Sequence, residues 1–120
     1  MAATTGTLHD LLRPQQTHSN VGAWRWAVRR QLVPVRDRLV HERSHHRHEA
    51  WISERAARTL RERDTLLARL NRLASQVLVA PDVESLRSDL SRLLADIDRH
   101  SQRMSDLAYD EVELEIGGSE

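Results

Sequence analysis

The feature that most constrains this chain is an unbroken apolar pattern in its last third. Eight positions between Val83 and Leu107 alternate spacings of three and four residues, which is the repeat of one helix face and of a coiled-coil seam. Seven of the eight are apolar, and the other is His100. The eight positions are Val83, Leu86, Leu90, Leu93, Ile97, His100, Met104 and Leu107. An apolar stripe of this length can leave water only by packing against other helices.

A second apolar pattern, with interruptions, runs from Val21 to Val77. Pro34 interrupts it, because proline lacks a backbone donor and clashes with the preceding helical turn. Either one helix is kinked near Val33, or one helix ends there and Pro34 opens the next at its first turn, which is the alternative that we favour. The clearest break in the chain is at residues 80–82, where Pro81 suits the start of the last helix.

At 120 residues the chain is expected to form a single unit. Four segments joined by short turns predict an all-α, up-and-down bundle of three to four antiparallel helices. We expect residues 1–18 to be a partly disordered N-terminal segment with at most a short helical turn at 8–12. Residues 19–109 form the bundle. Residues 110–120 form an acidic tail whose alternating acidic and apolar residues suit a strand or an extended peptide.

Composition and charge exclude several classes of function. The chain has no cysteine, which rules out disulfides and thiolate chemistry. It has neither a secretory leader nor a membrane-spanning apolar run, so we expect a cytoplasmic protein. All 18 basic residues are arginine, as in proteins of GC-rich bacteria.

The two parts of the chain carry opposite charge. Residues 1–79 hold 14 Arg against 7 acidic residues, and residues 80–120 hold 4 Arg against 11. Basic and acidic helices are therefore expected to lie side by side, which leaves no unopposed basic face for nucleic acid.

Histidine is unusually frequent, with seven in the chain and four of them between residues 41 and 48. On a helix, His41, His45 and His48 share one face, which we expect to be solvated. A second face continues the stripe of Val35 and Leu39 toward the core. That second face carries Glu42, His46 and Glu49.

Polar residues that face a core are costly unless they are paired or bind a metal. Besides Glu42, His46 and Glu49, the predicted core stripes contain Asp64 and His100. Imidazoles and carboxylates that meet inside a bundle are the ligand set of carboxylate-bridged di-iron proteins. The alternative is that these groups hydrogen-bond to one another or lie in water near an open end of the bundle.

The segment 34–42, the histidine and glutamate cluster after it, and the ending 100–118 resemble the short hemerythrin-like proteins of actinobacteria. The resemblance spans residues 18 to 118 with loose motifs. It implies a four-helix bundle that holds two irons. The positions that the resemblance assigns to iron ligands are His18, His41, His45 or His46, Glu49 and His100, with Asp106 as a nearby carboxylate. The family's third-helix histidines are missing, since residues 60–64 are Leu-Arg-Glu-Arg-Asp.

The expected function is therefore non-enzymatic metal or oxygen-ligand binding, with iron as the candidate cofactor. We predict metal ligands among His18, His41, His46, Glu49, Asp64 and His100. The alternative is a metal-free scaffold for protein–protein interaction. Its acidic tail would contact a partner or a second copy. No phosphate-binding glycine loop or nucleophile motif predicts an enzyme.

Weaker patterns favour other functions. Trp24, Trp26 and the arginines after them suit an anionic lipid surface or a single-stranded nucleic acid. However, the two tryptophans lie on opposite sides of a helix. Tyr109 and Glu113 match the spacing of a tail motif in type VII secretion substrates, whose Trp-x-Gly turn this chain lacks.

Overall fold

The computed structural model describes residues 2–14, 20–42 and 53–118, and within them the chain forms four helices and no strand. The helices are α1 (Ala2–Leu11), α2 (Val21–His41), α3 (Ser53–Gln76) and α4 (Val83–Gly118). Each helix packs against the next, and α1 also packs against α4. The predicted all-α helical bundle is confirmed.

The core is formed by one stripe from each helix. In α4 the predicted pattern is confirmed from Leu86 to His100, with Leu94 added beside it. The α3 stripe keeps two predicted core residues, Leu70 and Val77, and is shifted by one residue at two others. The spacing predicts Leu67 and Ala74 there, whereas Leu66 and Leu73 are buried. The larger apolar residue takes the core position, since leucine buries more apolar surface than alanine.

The prediction that Pro34 separates two helices is wrong. Helix α2 runs through it from Val21 to His41, and Pro34 lies on its exposed side. Leu32 and Val35 are both buried on the opposite side, so one apolar stripe continues across the proline. Packing of this stripe outweighs the loss of one backbone hydrogen bond, whose acceptor faces water.

The N-terminal segment contains a longer helix than the short turn predicted at residues 8–12. Residues 2–11 form α1, and the side chains of Thr5, Leu8 and Leu12 are buried. Three positions are too few for a recognisable pattern, and the helix is fixed by its packing against α2 and α4. Residues 15–18, also predicted to be disordered, lie outside the described residues.

The bundle has two different ends. At the first, which we call the arginine-capped end, side chains donate to backbone carbonyls at the ends of other helices. The Trp24 indole donates to the Leu11 carbonyl at 2.6 Å, and Arg87 donates to the Leu12 carbonyl at 2.9 Å. Arg25 donates to the carbonyls of Val77 and Ala80, in the α3–α4 turn. These donors satisfy carbonyls that a helix terminus leaves without an intrahelical partner.

The tail is helical, not extended as predicted. Helix α4 is 36 residues long and includes every residue from Asp110 to Gly118. At about 1.5 Å per residue, it accounts for most of the 60 Å length of the molecule. The alternating acidic and apolar residues are therefore carried on a continuation of the longest helix.

Candidate functional site

The candidate site is a buried histidine with a carboxylate on each side, at the second end of the bundle, which we call the histidine end. His100 of α4 has no solvent-exposed surface. Its Nε2 lies 2.6 Å from Glu42 Oε2, at the end of α2, and its Nδ1 lies 2.6 Å from Glu62 Oε1, on α3. One imidazole thus links three helices.

The hydrogen bonds continue outward from Glu62 to the surface. Arg103, one turn after His100, donates its Nε to Glu62 Oε1 at 3.1 Å, and a second bond joins its guanidinium to the other oxygen. Beside them, Arg38 donates to Ser101 Oγ at 3.2 Å and links α2 to α4. The site is therefore a network of charged groups that is buried at the imidazole and reaches water through Glu62 and Arg103.

The protonation of His100 follows from these contacts. Burial disfavours the charged imidazolium, but the hydrogen bonds and charges of Glu42 and Glu62 outweigh it, so the pKa of His100 is raised. A neutral imidazole has one N–H donor, whereas two carboxylates need two. The geometry thus matches an imidazolium that donates from both nitrogens.

Glu62 is shifted in the opposite direction. Burial alone would raise the pKa of its carboxyl group, but the hydrogen bonds from Arg103 and His100 and their charges lower it overall. Positive groups on both sides of Glu62 hold it ionised. Glu62 and His100 therefore stabilise each other's charged form.

The structure brings together fewer of the predicted ligands than expected. Asp64, predicted to face the core, is 65% exposed at its side chain and pairs with Arg63 at 2.6 Å. The shift of the α3 stripe by one residue is the cause, since it places Arg63 in the core instead. His41 is exposed, and its Nδ1 lies 2.7 Å from the carbonyl of Asp37. His18, His46 and Glu49 lie outside the described residues.

The described residues do not fit a di-iron centre. A metal-bound histidine must offer a nitrogen lone pair to the ion. Both nitrogens of His100 are instead engaged by carboxylates, and the exposed His41 and Asp64 contact the Asp37 carbonyl and Arg63. In residues 2–14, 20–42 and 53–118 no three histidine or acidic side chains come together as metal ligands would.

The sequence analysis missed Glu62, although it named Glu42 and His100. Glu62 lies four residues before Leu66, on the correct α3 stripe. Leu66 and Leu67 are both leucine, so the pattern alone does not decide which of them faces the core. The sequence analysis did name the hydrogen-bonded alternative, and His100 with Glu42 realises it.

The described helices include none with the length and apolar character needed to cross a bilayer. Comparison with known proteins adds no relative to this chain. No family model, no curated protein and no solved structure matches it.

Proposed function

We propose that the chain is a metal-free helical scaffold for protein–protein interaction, and that the C-terminal part of α4 makes the contact. The observation that carries the proposal is the length of α4. His100 is level with the end of α2, since it contacts Glu42, and α4 continues for 18 residues beyond it, from Ser101 to Gly118.

The neighbouring helices accompany only the first part of this extension. Glu62 contacts His100 and Arg103, and α3 begins at Ser53, nine residues before Glu62. Because α3 and α4 are antiparallel, the first residue of α3 is level with about residue 110 of α4. Residues 110–118 thus extend past the start of α3. They also extend past the start of α1, because His9 of α1 contacts Asp98, twelve residues before Asp110.

The last turns of α4 lie beyond the start of α3. Most helical stability in proteins comes from packing of an amphipathic face against other elements, so contact with a partner would stabilise this segment. Residues 106–115 also carry five acidic residues and no basic one, near the negative end of the helix dipole. A basic surface would neutralise this charge, so it is the chemistry that a partner should offer.

The test is truncation before Asp110. Full-length and truncated chains are compared for molecular mass in solution and for proteins retained on each as bait, with thermal unfolding as the control for folding. Loss of self-association or of retained proteins, with unfolding unchanged, supports the proposal. If mass and retained proteins are the same for both chains, the C-terminal part of α4 is not the contact and the proposal is wrong.

The scaffold is favoured over iron binding because the imidazole that a metal site would require already links three helices through both nitrogens. Three of the predicted ligands lie outside the described residues, so iron binding stays a prediction. Metal analysis of the purified chain tests the iron-binding alternative.

A further inference from the structure

The outer face of α2 carries exposed apolar and basic residues in a regular order. Trp26, Val33 and Val40 are 57%, 56% and 39% exposed, and they follow one another at intervals of seven residues. Arg29 and Arg36 lie between them, also seven residues apart, and both are exposed. Alternating intervals of three and four residues are what a helix presents to another helix.

This face differs from the remainder of α2 in both charge and packing. Its charged residues are Arg29 and Arg36, and none of its five positions is acidic. The guanidinium of Arg29 lies 5.9 Å above the ring of Trp26, which keeps both side chains on the surface. Trp24, two residues earlier, is buried and donates to the Leu11 carbonyl. A line of exposed apolar residues flanked by charge is typical of an interaction surface.

We propose that the outer face of α2 binds the C-terminal part of α4 of a second copy of the chain, and that the contact is reciprocal in a two-fold dimer. The inference rests on the proposed function, and it names the partner. Two copies that each offer one acidic and one basic helix face close the assembly, so no further copies are needed.

The lengths of the two faces agree. The 18 residues of α4 past His100 extend about 27 Å, and residues 26–40 of α2 extend about 21 Å. If the two-fold axis lies level with Glu42 and His100, each extension runs antiparallel along α2 of the other copy. Most of each bundle then lies on its own side of that level, and only the first turns of α1 and α3 pass it, since α3 begins nine residues before Glu62.

This arrangement fixes a register. Position 100 of one copy is level with position 42 of the other, so position 106 meets position 36 and position 113 meets position 29. Asp106 is thereby paired with Arg36, and Glu113 with Arg29. Positions 109 and 116, which are Tyr and Ile, meet positions 33 and 26, which are Val and Trp. Acidic positions match basic ones and apolar positions match apolar ones, because both sets recur every seven residues.

The helix dipoles favour the same direction. The negative C-terminal end of α4 comes next to the positive N-terminal end of α2 in the second copy. Charge and dipole complementarity select this orientation over a parallel one, and they make the contact sensitive to salt.

The experiment uses charge reversal at exposed positions, which leaves the core intact. The two test variants are Arg29→Glu with Arg36→Glu, and Asp106→Arg with Glu113→Arg. Arg72→Glu with Arg92→Glu changes two other exposed arginines by the same charge and serves as the matched control. Sedimentation equilibrium gives the mass of each variant alone and in mixtures, against the 13.8 kDa of one chain.

We expect the wild type and the control to form dimers. Each test variant alone should dimerise at least about tenfold more weakly. An equimolar mixture of the two test variants can form a heterodimer in which one contact is native and the other has both of its charge pairs reversed, so it should recover dimer. A wild type that stays monomeric, or a mixture that does not recover, overturns the inference.

Failure of this inference can be told apart from failure of the proposed function. If truncation before Asp110 abolishes self-association but Arg29→Glu with Arg36→Glu does not, the α4 contact stands and the α2 site is wrong. A different outcome is a monomeric wild type that sediments with vesicles of anionic lipid, while the variant Arg29→Glu with Arg36→Glu does not. That result would assign the α2 face to a lipid surface and overturn the inference.

Discussion

The two ends of the bundle are closed by different chemistry. At the arginine-capped end, Trp24, Arg25 and Arg87 donate to backbone carbonyls. Their acceptors are neutral, and none of these groups changes its charge near neutral pH. At the histidine end, His100 is held between two carboxylates. The pKa of His100 is raised and that of Glu62 is lowered by these contacts. The side-chain hydrogen bonds to carbonyls at the first end should therefore be insensitive to pH near neutrality, and the contacts of His100 at the second end should be stable only within a range of pH.

The largest expected effect is at the arginine-capped end. Trp24→Ala removes a buried ring and the donor to the Leu11 carbonyl, and it should lower the free energy of unfolding by about 3–5 kcal/mol. Trp26→Ala, on the same helix but 57% exposed, is the matched control. In dilute protein it should change the free energy of unfolding by no more than about 0.5 kcal/mol. Urea unfolding measures both, and equal effects would contradict the assigned packing of α2.

The next effect tests the histidine end. His100→Leu keeps an apolar core volume but removes both hydrogen bonds, and it should lower the free energy of unfolding by about 1–3 kcal/mol. His9 also lies 2.6 Å from a carboxylate, that of Asp98, but the pair is nearly half exposed. His9→Leu should therefore change the free energy of unfolding by less than about 1 kcal/mol. A larger effect at His9 than at His100 would show that the buried network does not stabilise this end.

A smaller effect is the pH dependence of stability. The pKa of His100 is raised above 6.5 on folding, so its contribution is complete below pH 6.5 and is lost as pH rises through the folded pKa. The pKa of Glu62 is lowered below 4.5, so its contribution is complete above pH 4.5 and is lost as pH falls through the folded pKa.

Both contributions are complete between pH 4.5 and 6.5, where the temperature of thermal unfolding should be highest. The decline on the alkaline side should be shallower in His100→Leu, while Trp24→Phe should keep the wild-type profile. An unchanged alkaline side in His100→Leu would contradict the raised pKa.

The smallest expected effect is that of metal removal. Because His100 offers no lone pair to an ion, the purified chain should hold less than about 0.1 equivalent of iron, and a chelator should not change its unfolding temperature. Elemental analysis and the ultraviolet–visible spectrum measure this. Iron near two per chain with oxo-bridge absorption would contradict the scaffold and support the di-iron prediction.

The sequence predicts the fold better than it predicts the site. The α4 stripe is long and unambiguous, so its core residues follow from spacing alone. In α3, adjacent leucines made two stripes equally compatible with the pattern, and the choice of the wrong one placed Asp64 inside and overlooked Glu62. In α1, Thr5, Leu8 and Leu12 form a pattern too short to recognise, although tertiary packing buries all three.

The sequence by itself determined that the chain is helical, that α4 is its longest apolar stripe, and that its two parts carry opposite charge, because these properties depend on local spacing and composition. Only the tertiary structure decided that Pro34 lies within a continuous helix, that Glu62 and Glu42 both meet His100, and that α4 extends past the start of α3. Those outcomes depend on which faces meet and at what level, and that is set by competition among alternative packings of the whole chain.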